Sequence, residues 1–456
     1  MIMPGSHLSG RHPTAEEGAN SGIHLGAIPL EGKAGTLVIY DARLWHQAGL
    51  NRGTEVDPIL REPWRLCIFC PFSAPQMRQQ ANLSLTTHRN IVATASDHAK
   101  KKLGLDPWRE FGHVGGAAPL QGTEQGLGRM SLLVDEGGGD GGSLGTFQST
   151  ANVIVELEPL RRQLDEVGFC KLRGLSAADA ARLATRTTDQ AAAEAAAGVG
   201  ETEPGGARRV LTLQNKGEEF LSLLSHGDVN ALVHHVLGAE FQLSSASATI
   251  RANAGAPCWQ TGQWWCPQPI RRSERIPSVK PAEVTLELSS TDAWTSASED
   301  YIAPPVAASA IWQAEGSASL SLVPRSHLSG KNPGADGLQP EGSVTIELEP
   351  GDVLLADGRL WVEPSSAAGI RAHYEYTGPQ FRTKENNVLA TQMAALEAMD
   401  DHQVDQLGFR VWFSYGGSHH ANGPKGSDGH PMTRTQQLDG DTDRVEREAA
   451  LTFGPH

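Results

Sequence analysis

Apolar and polar positions are arranged in a helical period in one part of the chain and alternate in another. Ser176-Ala-Ala-Asp179 reads as a capping box, with Ser176 accepting a backbone N–H and Asp179 reaching back. An Ala-rich helix follows and stops near Gly198. Asp228 reads as the cap of a second helix. That helix carries Val229, Leu232, Val233 and Val236 on one face and Gly238 past its end. Phe241–Ala252 and Val284–Leu288 alternate and read as strands. Gly35–Tyr40, Leu66–Cys70, Asp352–Ala356 and Ala372–Tyr376 are short, β-rich and bounded by turn residues. Helices followed by many short strands predict an α+β chain that is mainly β.

The chain also repeats itself. Pro4-Gly-Ser-His-Leu-Ser-Gly-Arg-His-Pro13 matches Pro324-Arg-Ser-His-Leu-Ser-Gly-Lys-Asn-Pro333 at seven of ten positions, and Asp41-Ala-Arg-Leu-Trp-His46 matches Asp357-Gly-Arg-Leu-Trp-Val362 at four of six. Pro75-Gln-Met-Arg78 and Asn82 match Pro379-Gln-Phe-Arg382 and Asn386. Leu103-Gly104, Trp108 and Gly112 match Leu407-Gly408, Trp412 and Gly416. Four blocks in one order predict two copies of one module. The expected organisation is a C-terminal half-module at 1–114, a Gly-rich linker at 115–149, a full-length copy at 150–417 and a disordered tail at 418–456. The linker contains Glu136-Gly-Gly-Gly-Asp-Gly-Gly142, which cannot bury enough apolar surface to order itself.

Composition narrows the function. The 456 residues carry 38 Lys and Arg against 53 Asp and Glu, a net charge of −15. That balance argues against nucleic acid and against an anionic membrane surface. Five scattered cysteines do not make a disulfide framework. No apolar run approaches the ~18 residues of a membrane span. The start has neither the basic nor the apolar region of a signal peptide. The expectation is a cytoplasmic protein without a membrane span, acting on a small molecule. A protein partner, or a missing N-terminal segment, is expected to complete the first copy of the module.

The Pro-Gly-Ser-His-Leu turn, the Gly35-to-His46 strand, Asn51, Arg65, Pro75, Arg78 and Asn82 together resemble the phytanoyl-CoA dioxygenase family of Fe(II)/2-oxoglutarate-dependent oxygenases. The resemblance covers 2–116 as the second half of a domain and 150–417 as a whole one. It implies a double-stranded β-helix, a jelly-roll-like barrel with flanking helices, plus a partial second copy. It also implies iron held by two His and one carboxylate, with 2-oxoglutarate as co-substrate. An Arg suits the far carboxylate because its planar fork binds carboxylates bidentately.

Carried over by position, His46 matches the distal metal-binding His of the first copy. Arg65 matches the 2-oxoglutarate Arg, with Arg52 and Arg61 as competitors. Ser6 and His7 are expected to shape a turn. The His-X-Asp strand of the first copy has no counterpart in this sequence. In the second copy the family's His-Thr-Asp-Gln-Trp-Trp reads Gln260-Thr-Gly-Gln-Trp-Trp265. Gln260, Gly262 and Val362 stand at the three metal positions, and only Arg371, matching Arg65, keeps its type.

Other candidates are weaker. His226-Gly-Asp228 is a literal His-X-Asp, but it falls at a helix start. Cys67-Leu-Ile-Cys70 sits on a strand, where positions three apart face opposite sides. Cys258 and Cys266 flank the altered motif, and His419, His420 and His430 sit in the tail. Trp264 and Trp265 read equally as pocket lining or core. Three functions follow: an active hydroxylase of a small organic or lipid substrate, a non-catalytic relative binding a small carboxylate or a protein, or part of a longer tandem protein whose first barrel is catalytic.

Overall fold

Ser176 opens the longest helix as its residue type dictates. Its hydroxyl oxygen accepts the Asp179 N–H at 3.1 Å and its O–H donates to the Asp179 carboxylate at 2.7 Å. Asp179 therefore satisfies the capping hydroxyl, where the capping box would have it reach the backbone.

The computed structural model describes residues 1–9, 13–14, 27–33, 35–47, 68, 70–79, 82–83, 87, 91, 94–107, 111–114, 156–203, 206–238, 240–252, 262, 304–329, 333, 339–363 and 368–409. The expected linker, the tail and the Val284–Leu288 strand lie outside them. The chain divides into two units, Met1–Phe72 and Ser73–His456.

In the second unit the helices are α1 (Asp97–Lys102), α2 (Leu157–Val167), α3 (Ala177–Ala196), α4 (Glu218–Leu224) and α5 (Gly227–Leu237). The strands are β1 (Phe169–Arg173), β2 (Glu201–Thr202), β3 (Arg208–Leu211), β4 (Gln242–Arg251), β5 (Ala307–Glu315), β6 (Ala318–Val323), β7 (Val344–Leu348), β8 (Asp352–Asp357), β9 (Trp361–Glu363) and β10 (Gly369–Thr377). Short helical turns follow from Asn387 to Phe409. A seven-stranded sheet runs β1-β8-β5-β10-β4-β3-β2, and a three-stranded sheet runs β7-β6-β9. Every pairing within them is antiparallel.

Strand alternation places two cores. Ala310, Trp312, Ala314, Ala372, Tyr374 and Tyr376 point to one face of the large sheet, where they pack with Leu183, Phe220, Val229 and Val233 of the helices. Ile311, Leu354 and Ala356 point the other way and meet Leu320, Leu322 and Leu348 of the small sheet. Two facing antiparallel sheets with helices on the outer face make the double-stranded β-helix arrangement expected. Among the described residues the sheets do not close into a barrel. No described helix is long and apolar enough to cross a membrane.

The α5 start differs from the sequence expectation. His226, not Asp228, is the N-cap: its Nδ1 accepts the Val229 N–H at 3.4 Å, while Nε2 donates to the Gly174 carbonyl at 2.9 Å. Asp228 sits in the first turn, where its charge favours the helix dipole. Val229, Leu232 and Val233 are buried and Gly238, with φ +88°, ends the helix as the pattern implied.

In the first unit Ile2 bridges both His46 and Ile28. Gly35–Tyr40 is not a strand, because no ladder partner lies beside it among the described residues. Leu37 is 80% exposed and Ile39 86%. The matching run in the second unit is β8, all six residues of which are buried between β1 and β5.

Candidate functional site

The sheet face turned away from the helices carries a polar ladder built by strand register. Residues paired across antiparallel strands project to the same side. Arg371 of β10 stands between Thr249 of β4 and Gln313 of β5; His373 stands between Ser247 and Ile311; Glu375 stands between Ser245 and Ser309. The intervening Ala372 and Tyr374 face the helical core.

Each rung has its own electrostatics. Burial depresses the Arg371 pKa, Arg251 adds to that, and Glu363 and Glu203 oppose it. Burial also lowers the His373 pKa, and its buried Nε2 meets no hydrogen-bond partner among the described residues. Burial alone would raise the Glu375 carboxyl, but Lys384, His373 and Ser245 outweigh it and hold the pKa at about 2. Lys384 Nζ lies 2.8 Å from the Glu375 carboxylate, and the Ser245 hydroxyl donates to its other oxygen.

Gly262 comes to this end of the ladder. With Ser309, Gly358, Glu375 and Lys384 it lines a small cleft. A Cβ at Gly262 would sit 3.4 Å from the Gly358 Cα, ordinary contact. Val362 lies elsewhere, paired with Leu322 on β6 and packed against the core between the sheets. The structure thus brings Gly262 to Glu375, but places Arg371 two rungs away and Val362 in apolar packing. Gln260, Arg65, Arg52, Arg61, Asn51, Cys67, Cys258, Cys266, Trp264, Trp265 and the tail histidines lie outside the described residues. Among the described residues, no three His, Cys, Asp or Glu side chains converge as a metal site. His226, on the helical side with its ring edge against Trp312, spends both nitrogens on the backbone.

His373, Glu375 and Lys384 escaped sequence reasoning. The signal was present for two of them: Ala372-His-Tyr-Glu-Tyr376 alternates polar and aromatic residues.

In the first unit the His46 Nδ1 donates to the Leu44 carbonyl at 2.7 Å, which leaves the Nε2 lone pair as an acceptor. Tyr40 stacks at 5.0 Å between ring centroids. Ser6 O–H donates to the Met3 carbonyl at 2.7 Å and its oxygen accepts the Trp45 N–H at 2.8 Å. Ser326 makes the same two bonds, to Val323 and from Trp361, at the same lengths. Arg43 forks onto Asp41 as Arg359 forks onto Asp357, each with a closest approach of 2.6 Å. The Ile2–His46 bridge mirrors the Leu322–Val362 pair. Ser6 therefore shapes the turn, as expected.

Residues 1–56 match the family model of phytanoyl-CoA dioxygenase. A curated relative, "Dioxygenase af480" of Aspergillus fumigatus, is 35% identical over 78 residues, 17% of this chain; the chain spans only 23% of that relative's length. Solved structures with some likeness include the non-heme alpha ketoglutarate dependent epimerase SnoN from nogalamycin biosynthesis. It is 16% identical, over 50% of this chain and 84% of that one, with a TM-score of 0.34. Another is EctD from S. alaskensis, 17% identical over 50% of this chain and 78% of that one, with a TM-score of 0.36.

Proposed function

We propose, from the premise that residues 1–56 of this chain belong to the phytanoyl-CoA dioxygenase family, that it is a dioxygenase-like protein with an incomplete metal site. The family chemistry is the Fe(II)/2-oxoglutarate-dependent hydroxylation of a small organic or lipid substrate. In this chain the copy at 150–417 acts without chemistry: it binds a small carboxylate, with Arg371 as the anchor.

One observation carries this reading: Arg371 is buried on the inward face of β10, in register with Thr249 and Gln313. Iron does not fit that donor set. Gly262 has no donor atom, Val362 is packed as core, and the nearby Glu375 is committed to Lys384 and Ser245. A carboxylate fits better, because a buried guanidinium gains most from an anion where water is scarce.

The recurrence of the Ser, Asp–Arg and bridge geometry supports two copies of one module, with 1–114 as half of one. His46 is then the distal metal position of that half and Arg65 its 2-oxoglutarate position. The exposed Leu37 and Ile39, whose counterparts on β8 are covered by two strands, support a half-domain that a protein partner or a further segment completes.

Calorimetric titration of the metal-free full chain with 2-oxoglutarate tests the anchor. Saturable binding that weakens in Arg371→Gln is expected. Binding unaffected by Arg371→Gln removes the anchor from the account.

A further inference from the structure

A solvent-open cleft lies at the junction of the matched C-terminal blocks. Arg78, Asn82, Gln242, Arg382, Thr383 and Asn386 supply much of its polar lining, and no Asp or Glu lines it among the described residues. Leu407, which belongs to the core beneath the helices, borders it. It is therefore separate from the polar ladder between the sheets.

Arg382 is the key side chain. Its Nη2 donates to the Gly104 carbonyl at 3.0 Å and to the Asp106 carbonyl at 3.3 Å. Its Nε and Nη1 donors meet no acceptor, and it forms no ion pair, among the described residues. Gly112, at φ +81°, makes this approach feasible, since a Cβ there would overlap the guanidinium. Arg78 enters from the other block and gives its Nη2 to the Gly408 carbonyl at 2.7 Å. Burial lowers the pKa of both guanidiniums, that of Arg78 to about 10.

Two guanidiniums on backbone carbonyls, side-chain amides around them and no acid among the described lining residues make a cationic site. We propose that this cleft binds a small oxyanion-bearing ligand, carboxylate or phosphoryl, independently of the barrel. The guanidinium donors meet the anionic oxygens, and the amides of Asn82 and Asn386 meet neutral polar atoms of the same ligand.

The test is calorimetric titration of the full chain with inorganic phosphate and, separately, with succinate, at constant ionic strength. Saturable binding of either probe is expected, weakened about tenfold or more in Arg382→Gln, the size of one charged hydrogen bond. Preference for phosphate assigns a phosphoryl ligand, and preference for succinate a carboxylate. Asn82→Asp places a carboxylate in the lining at constant size and is expected to weaken binding similarly. It carries the test alone if Arg382→Gln does not fold. No saturable binding, binding retained in the folded variants, or binding lost only in Arg371→Gln overturns the proposal.

Discussion

Arg78 and Arg382 occupy matched positions in two sequence blocks, and each donates to the other block's matched glycine: Arg78 to the Gly408 carbonyl at 2.7 Å, Arg382 to the Gly104 carbonyl at 3.0 Å. Their backbones are also paired reciprocally. Arg78 N–H donates to the Gln380 carbonyl at 2.9 Å, and Arg382 N–H to the Gln76 carbonyl at 2.8 Å. Met77 and Phe381 form the bridge between them. The contact has the two-fold character of an isologous interface, built within one chain.

Truncating either arginine should therefore destabilise the second unit. Arg78→Ala and Arg382→Ala are each expected to cost about 1.5–3 kcal/mol, the range for a hydrogen bond from a charged donor. The double variant should cost less than the two together, because both belong to one contact. Denaturant midpoints of the four proteins check this; strict additivity would show the two halves to be uncoupled.

The Glu375–Lys384 pair offers a second test. Lys384→Met leaves a half-buried carboxylate without its cation and should cost about 1.5–3 kcal/mol, the range for a hydrogen bond to a charged group. Adding Glu375→Gln should restore most of the loss. The Glu375 pKa, about 2 in the fold against an ordinary 4.5, means its contribution is complete above pH 4.5 and is lost as pH falls toward 2.

The partly and fully buried histidines act at higher pH. Burial lowers the pKa of His226, His327 and His373 below their ordinary 6.5. The unfolded chain then binds more protons than the fold, so stability is full above pH 6.5 and declines as pH falls through that value. Unfolding at pH 7.5 and 5.5 should show the lower midpoint at 5.5. His226→Asn keeps a good helix cap and should reduce that difference. An unchanged difference would rule His226 out as a contributor.

Much of this was legible in the sequence. The Ser-His-Leu turn could be read because its first hydrogen bond, from the Ser6 hydroxyl to the Met3 carbonyl, is local. The α5 cap was misplaced because His226 and Asp228 both precede the same apolar face. The ring nitrogen wins through a long-range bond to Gly174. Gly35–Tyr40 reads as a strand, but a strand exists only where another pairs with it, and that partner is not encoded locally. The Arg78–Arg382 exchange joins segments some 300 residues apart, beyond any pattern within one window.

The exposed apolar run of the first unit predicts its own behaviour. Among the described residues the backbone around Leu37 and Ile39 has no strand partner, and with those exposed side chains it is an association hazard. Leu37→Lys with Ile39→Lys should lower both dye binding and concentration-dependent assembly. Unchanged assembly would place the sticky surface elsewhere.

The central claim, that this chain holds a carboxylate without holding iron, is tested most directly by anaerobic titration of the full chain with Fe(II) and 2-oxoglutarate, followed by desalting and iron analysis. The account predicts substoichiometric iron and no visible charge-transfer absorption, with 2-oxoglutarate still bound. One iron per chain with that absorption, both lost in His46→Ala, would contradict it.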